Sequence, residues 1–232
     1  MANTTVGTAR TTKAVCLNAL SSVPKQTELM SEPESIISAD EALERLTAGN
    51  ERFLRGEIRL LGLVPETLKR LKHGQQPYAT ILGCSDSRVP PEFIFDSGFG
   101  ELFVIRIAGN VFSAAIAASL QYAGAHLHTP LFVVLGHYDC GAVNAALKTR
   151  DEGDRHRSRI QLLVDNILPG LPPLDPNLSP TARTNQAVES NVRWTVQQIL
   201  DTPESQARLR EGEMKIVGAL FEIETGRVRF LN

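Results

Sequence analysis

The 232-residue sequence predicts an α/β fold, a central and mostly parallel β-sheet flanked by helices, with an N-terminal helical arm. Three observations carry this expectation. Runs of consecutive apolar residues at Tyr78-Ala79-Thr80-Ile81-Leu82-Gly83, Leu102-Phe103-Val104-Ile105-Arg106 and Leu131-Phe132-Val133-Val134-Leu135-Gly136 have the length and composition of strands buried on both faces. An Ala-rich segment from Ser113 to His126, with helical character, separates the last two. A further strand pattern, Met214 to Ile223, ends near Gly226, which allows a turn into Val228 to Leu231. Strands that alternate with helices are the pattern of a parallel sheet.

The remaining elements follow in chain order. Residues 1–37 read as a flexible or loosely docked arm. Its first 27 residues carry Arg10, Lys13 and Lys25 and no acid, so an organellar transit role stays open, although one arginine is thin support for it. Its apolar stretch Ala14 to Leu20 is interrupted by Asn18 and is short for a signal peptide. Ser38-Ala39-Asp40-Glu41 supplies a capping residue and early acids, and a helix is expected from there through Leu46. Val64 to Lys72 reads as a second helix, closed near Gly74. The mixed-charge run Arg150 to Arg159 reads as a solvated helix face. Leu168 to Ala182, with five prolines, reads as an irregular connector into an amphipathic helix over Gln186 to Leu200.

Composition narrows the function classes. The chain is 42% hydrophobic and 22% charged, which argues against wholesale disorder. A net charge of −2 offers no electrostatic reason for a nucleic acid or an anionic membrane as partner. No apolar run approaches the ~20 residues of a membrane span. The three cysteines, Cys16, Cys84 and Cys140, are too few for a disulfide framework. They point instead to a reducing, cytoplasmic setting and to thiol chemistry.

Two segments follow apolar strands and carry that chemistry. One is Gly83-Cys84-Ser85-Asp86-Ser87-Arg88, the other Gly136-His137-Tyr138-Asp139-Cys140-Gly141. The carboxyl ends of parallel strands share one edge, where ligand sites collect. Cys84, His137 and Cys140 are therefore expected in one crevice. Two thiolates and one imidazole suit zinc, with a fourth tetrahedral position open to water. Asp86 and Arg88, two residues apart, are spaced for a carboxylate–guanidinium pair. A closed structural zinc site needs a fourth ligand, and neither segment has a Cys-x-x-Cys pair. Three residues between Cys84 and Arg88, rather than five, argue against the phosphate loop of cysteine phosphatases. Gly98-Phe99-Gly100 leads into a strand, so it is no dinucleotide fingerprint.

Taken together, Cys84-Ser85-Asp86-Ser87-Arg88 and Gly136-His137-x-x-Cys140-Gly141 resemble the paired motifs of β-class carbonic anhydrases. The likeness runs from about Ser38 to the C-terminus and includes Gly100-Glu101-Leu102-Phe103-Val104-x-Arg106. It implies that residues 38–232 form a single catalytic domain binding one Zn2+ through Cys84, His137 and Cys140. It implies a lyase that interconverts carbon dioxide with bicarbonate and a proton by attack of zinc-bound hydroxide. Asp86 and Arg88 would act as an orienting and gating dyad, and Gln75, Phe103 and Gly141 would line the substrate pocket. The resemblance also implies a homodimer or a multiple of dimers. Ile81 and Phe221 stand where the allosteric branch of the family carries Trp and Tyr, which favours the accessible-zinc branch. Hydrolysis of carbonyl sulfide or carbon disulfide on the same site, and a non-catalytic zinc or bicarbonate-binding role, remain open alternatives at this stage.

Overall fold

In the computed structural model the described residues are 37–59, 65–153, 155–175 and 177–231. The arm, Cys16 and Val64 lie outside them. Helix α1 (Ala39–Leu54) starts where the capping sequence places it. Ser38 Oγ accepts from the Glu41 amide while the Glu41 carboxylate accepts from the Ser38 amide, a reciprocal capping box. The helix buries Ala42, Leu46, Gly49 and Asn50. Asn50 is a polar residue on that buried face, and it stitches three elements. Its Nδ2 donates to the carbonyls of Ile94 and Gly226, and its Oδ1 accepts from the Val228 amide.

Helix α2 (Pro65–Leu71) precedes strand β1 (Ala79–Gly83), whose five residues are all buried. A four-residue helix α3 (Pro91–Ile94) leads to β2 (Leu102–Arg106). Then come α4 (Ala114–Ala125), β3 (Leu131–His137), α5 (Gly141–Glu152), α6 (Ile160–Ile167), α7 (Pro180–Leu200) and α8 (Pro203–Arg210). Strands β4 (Lys215–Phe221) and β5 (Val228–Leu231) close the chain. The sheet order is β2-β1-β3-β4-β5. The first four strands are mutually parallel, and β5 returns antiparallel to β4. This is the mostly parallel, helix-flanked sheet that the apolar runs predict.

Packing explains the spacing of small residues. Helix α7 lies on β3 and β4. At Gly136 an added Cβ would sit 2.4 Å from a Val192 methyl, so a side chain there would push the helix off the end of β3. That contact fixes the strand end from which the site is built.

Three expectations need correction. Helix α7 begins at Pro180 rather than Gln186, because Ser179 accepts from the Ala182 amide and Pro180 occupies the first turn, where its missing N–H costs nothing. The run Arg150 to Arg159 is helical only to Glu152. Gly153, at φ 75°, ends α5 in the left-handed conformation. Helices α3, α6 and α8 are additional. The first is a single turn capped by Pro90 and begun by Pro91, and the other two adjoin the proline-rich connector and the end of α7.

Candidate metal centre

Strands β1 and β3 are neighbours in register, with Gly83 opposite Leu135. The residue after β1 and the last residues of β3 therefore leave the sheet side by side. Cys84 follows β1 directly, His137 is the final residue of β3, and Cys140 is the N-cap of α5. Their donor atoms lie within 4.8 Å of one another and all three residues are buried. The two sulfurs are 4.0 Å apart. A tight turn with Asp139 at φ 55° brings Cys140 back beside His137.

The histidine ring is oriented by its own neighbour. Nδ1 lies 3.0 Å from the Tyr138 carbonyl, which can only accept, so the proton resides on Nδ1. Nε2 is left with a lone pair in a buried position and no hydrogen-bond partner. A buried acceptor without a partner costs stability unless something fills the place. Zinc fits it. Tetrahedral ligation with Zn–S bonds of about 2.3 Å sets two sulfurs about 3.8 Å apart, close to the separation observed.

The sulfurs are electrostatically prepared for charge. The Gly109 amide reaches Cys84 Sγ at 3.4 Å. Cys140 can donate to Cys84, and this pair interaction holds the Cys84 thiol well below its usual range against its burial, helped by the Gly109 and Asp86 amides. The same interaction pushes Cys140 up, as does its burial, against the amides of Ala142 and Val143 at the start of α5. The surroundings thus favour the thiolate at Cys84, and a bound cation would favour it at both sulfurs.

Beside the three donors lies the Asp86–Arg88 pair. Arg88 Nε donates to Asp86 Oδ1 at 3.0 Å and Nη2 to Oδ2 at 2.8 Å, a two-pronged contact. The Arg88 amide adds a bond to Oδ1 at 2.9 Å. Arg88 holds the Asp86 carboxyl far below the usual carboxylate range, although burial opposes it. Asp86 Oδ2 is 3.9 Å from His137 Nε2, so the carboxylate borders the donor cluster without entering it. Arg106, from β2, donates to the carbonyls of Cys84 and Asp86 and pins the loop that carries them.

The other pocket candidates are distributed differently. Gly141 opens α5 next to Cys140 and has open space where a side chain would be. Gln75 is exposed on the loop before β1. Phe103 packs against the Tyr122 ring, with centroids 6.1 Å apart, and pairs with Thr80 on β1. Four strand positions separate Thr80 from Cys84, about 13 Å at a strand's rise. Within one chain, then, Gln75 and Phe103 are not brought to the donors. Sequence reasoning missed Asn191 on α7, whose Nδ2 donates to the Gly109 carbonyl at 2.9 Å. Its only signal was a polar residue in the buried stripe of Val188, Val192 and Thr195.

Comparison with known proteins agrees with this geometry. The family model described as carbonic anhydrase matches residues 79–228. Carbonic anhydrase 2 of Mycobacterium tuberculosis is 36% identical over 187 residues, covering 80% of this chain and 89% of that protein. Among solved structures, the β-carbonic anhydrase CcaA superposes with a TM-score of 0.64 at 27% identity, covering 83% of this chain and 88% of that one. A tetrameric β-carbonic anhydrase from Sordaria macrospora shares the fold, with a TM-score of 0.67 at 23% identity over 83% of this chain and 98% of that one. An α/β sheet with a two-thiolate, one-imidazole cluster at its carboxyl edge defines a class of zinc lyase. The chain belongs to the carbonic anhydrase family, in its β class. Its reaction is the reversible hydration of carbon dioxide to bicarbonate and a proton, and its cofactor is zinc.

Proposed function

We propose that Cys84, His137 and Cys140 hold one zinc ion per chain, and that Asp86 and Arg88 govern the solvent position beside it. The observation that carries this reading is the buried, unpartnered Nε2 of His137 facing two free thiols. Zinc bound there would supply a Lewis acid that lowers the pKa of water to about 7.

The chain's own residues do the rest. Two thiolates neutralise the dication, so the position beside it must tolerate a developing negative charge. The Arg88 guanidinium supplies a compensating cation. Asp86, kept ionised by Arg88, accepts a hydrogen bond from the nucleophilic water and so fixes which lone pair points at carbon dioxide. A carboxylate freed from Arg88 would be a fourth donor, and the third anionic one, beside the cluster and would close the site to solvent. The bidentate pair favours the accessible-zinc branch. Ile81 and Phe221, packed in the core, leave the Trp and Tyr of the allosteric branch without counterparts.

Gln75, Phe103 and Gly141 line the substrate pocket in this reading, with Gln75 and Phe103 acting across an interface. Their distance from the donors of their own chain supports a homodimer or a multiple of dimers, as does the position of β2 at an edge of the sheet. Residues 38–232 are the catalytic domain and residues 1–37 an appended arm. Two buried free thiols favour the cytoplasm, and among the described residues no helix is long and apolar enough to cross a membrane. Zinc analysis combined with stopped-flow hydration of carbon dioxide tests the proposal. One zinc per chain with hydration that strengthens toward alkaline pH is expected. Stoichiometric zinc without hydration at any pH would overturn it.

A further inference from the structure

We infer that Asn191 is a positioning residue for the zinc site, acting through the Ala108–Asn110 turn to aim the Gly109 amide at the Cys84 sulfur. The inference rests on Cys84 being a zinc ligand.

The two ends of one residue carry the link. Asn191 Nδ2 donates to the Gly109 carbonyl at 2.9 Å, and the Gly109 N–H donates to Cys84 Sγ at 3.4 Å. Reversing the Asn191 amide would set Oδ1 against that carbonyl, acceptor to acceptor, so the donor orientation is fixed by chemistry. Asn191 is 1% exposed, and its Oδ1 has no hydrogen-bond partner. A buried amide kept at that cost is held for what its donor does.

The turn it holds is not one the chain adopts by default. Gly109 has φ 72° and Asn110 has φ 44°, two left-handed residues in succession. An added Cβ at Gly109 would lie 3.0 Å from both Ala142 Cβ and Ile167 Cδ1. Such a backbone persists only when its surroundings over-determine it. The two sulfurs differ in this respect. Cys140 faces the Ala142 and Val143 amides, which the first turn of α5 presents without outside help. Cys84 has the local Asp86 amide and, in addition, the Gly109 amide, whose aim is set by a side chain 82 residues away.

An amide bond to a thiolate draws charge from sulfur and lessens what the sulfur donates to the metal. In a site whose two thiolates already cancel the dication, that withdrawal keeps the metal a stronger acid toward water. Losing it should show at the metal itself, apart from turnover.

Cobalt(II)-substituted protein reads this out through its sulfur-to-metal charge-transfer absorption. Asn191→Leu, of similar volume without the donor, is expected to shift that band to lower energy. Because the turn that seats the Cys84 sulfur is no longer held, zinc should also pass to a competing chelator about 10- to 100-fold more readily, although the sulfur itself becomes the stronger donor. Thr195→Val removes an unpartnered hydroxyl one turn further along the same buried face. It should leave both measurements at wild-type values. A wild-type band unchanged in Asn191→Leu would overturn the inference and leave the ligand assignment standing. A band insensitive to Cys84→Ser would instead sink the assignment. Should Asn191→Leu fail to fold, the wild-type protein loaded with cadmium-113 decides. The Gly109 amide proton should then show scalar coupling to cadmium through the Cys84 sulfur, and its absence would refute the link.

Discussion

His137 gives one ring nitrogen to the backbone and keeps the other available to a metal. The Tyr138 carbonyl takes the Nδ1 proton, and Nε2 is thereby delivered as a neutral donor. Cys84→Ser, which keeps the size but loses the soft anionic donor, should lose zinc and activity together, measured by metal analysis and stopped-flow hydration of the same sample. Arg88→Ala should keep its zinc and lose about 10- to 100-fold in turnover; an active Arg88→Ala variant would contradict the dyad. Because Arg88 holds the Asp86 carboxyl well below its ordinary value, Asp86 stays ionised in mild acid. Any loss of wild-type activity between about pH 5 and 7 therefore cannot come from its protonation. The donor cluster and the Asp86–Arg88 ion pair were legible because each follows an apolar strand and joins residues close in sequence or at neighbouring strand ends. Asn191 was not, because its role depends on a contact that only the packing of α7 creates.

Asp96 plays a comparable role for a whole element. It ends the α3 segment with a nearly inaccessible side chain that accepts from Arg52, from Arg59 Nε at 2.9 Å and from the Arg59 amide at 2.8 Å. Burial raises its pKa, but the two guanidinium groups and the Arg59 amide outweigh it and leave the carboxyl below its usual value. With the folded pKa below the unfolded one, the stability it contributes is complete above an unfolded value of about 3.9 and is lost as pH falls through the folded value. Asp96→Asn keeps the shape and the tolerance for the left-handed backbone at φ 44°. It should cost about 2 kcal/mol in urea unfolding at neutral pH and lose less stability than wild type on acidification. An equal acid response would contradict this. Element by element, the strands were legible because five- to seven-residue apolar runs have no other home in a chain this polar. The early start of α7 was obscured by reading Pro180 as part of a coil, when proline in a first helical turn is compatible with the helix. Helix α3 offers too few residues for any periodicity to show.

At the scale of the molecule, the sheet among the described residues ends at β5, antiparallel to β4, on one side and at β2 on the other. Phe103 belongs to β2, and Gln75 precedes its neighbour. Light scattering in solution should find a dimer or a multiple of it. Gln75→Ala should leave zinc content unchanged and raise KM or lower kcat for hydration. A single-chain species with full activity would remove the shared-pocket reading. Sequence motifs could name these residues but not their distance from the donors, since that distance follows from the strand register of Phe103 with Thr80. The claim on which everything else depends is the donor set itself, and X-ray absorption at the zinc edge addresses it directly. Two sulfurs at about 2.3 Å and two lighter atoms at about 2.0–2.1 Å are expected, with one sulfur lost in Cys84→Ser. A shell of four sulfurs, or of none, would contradict the claim.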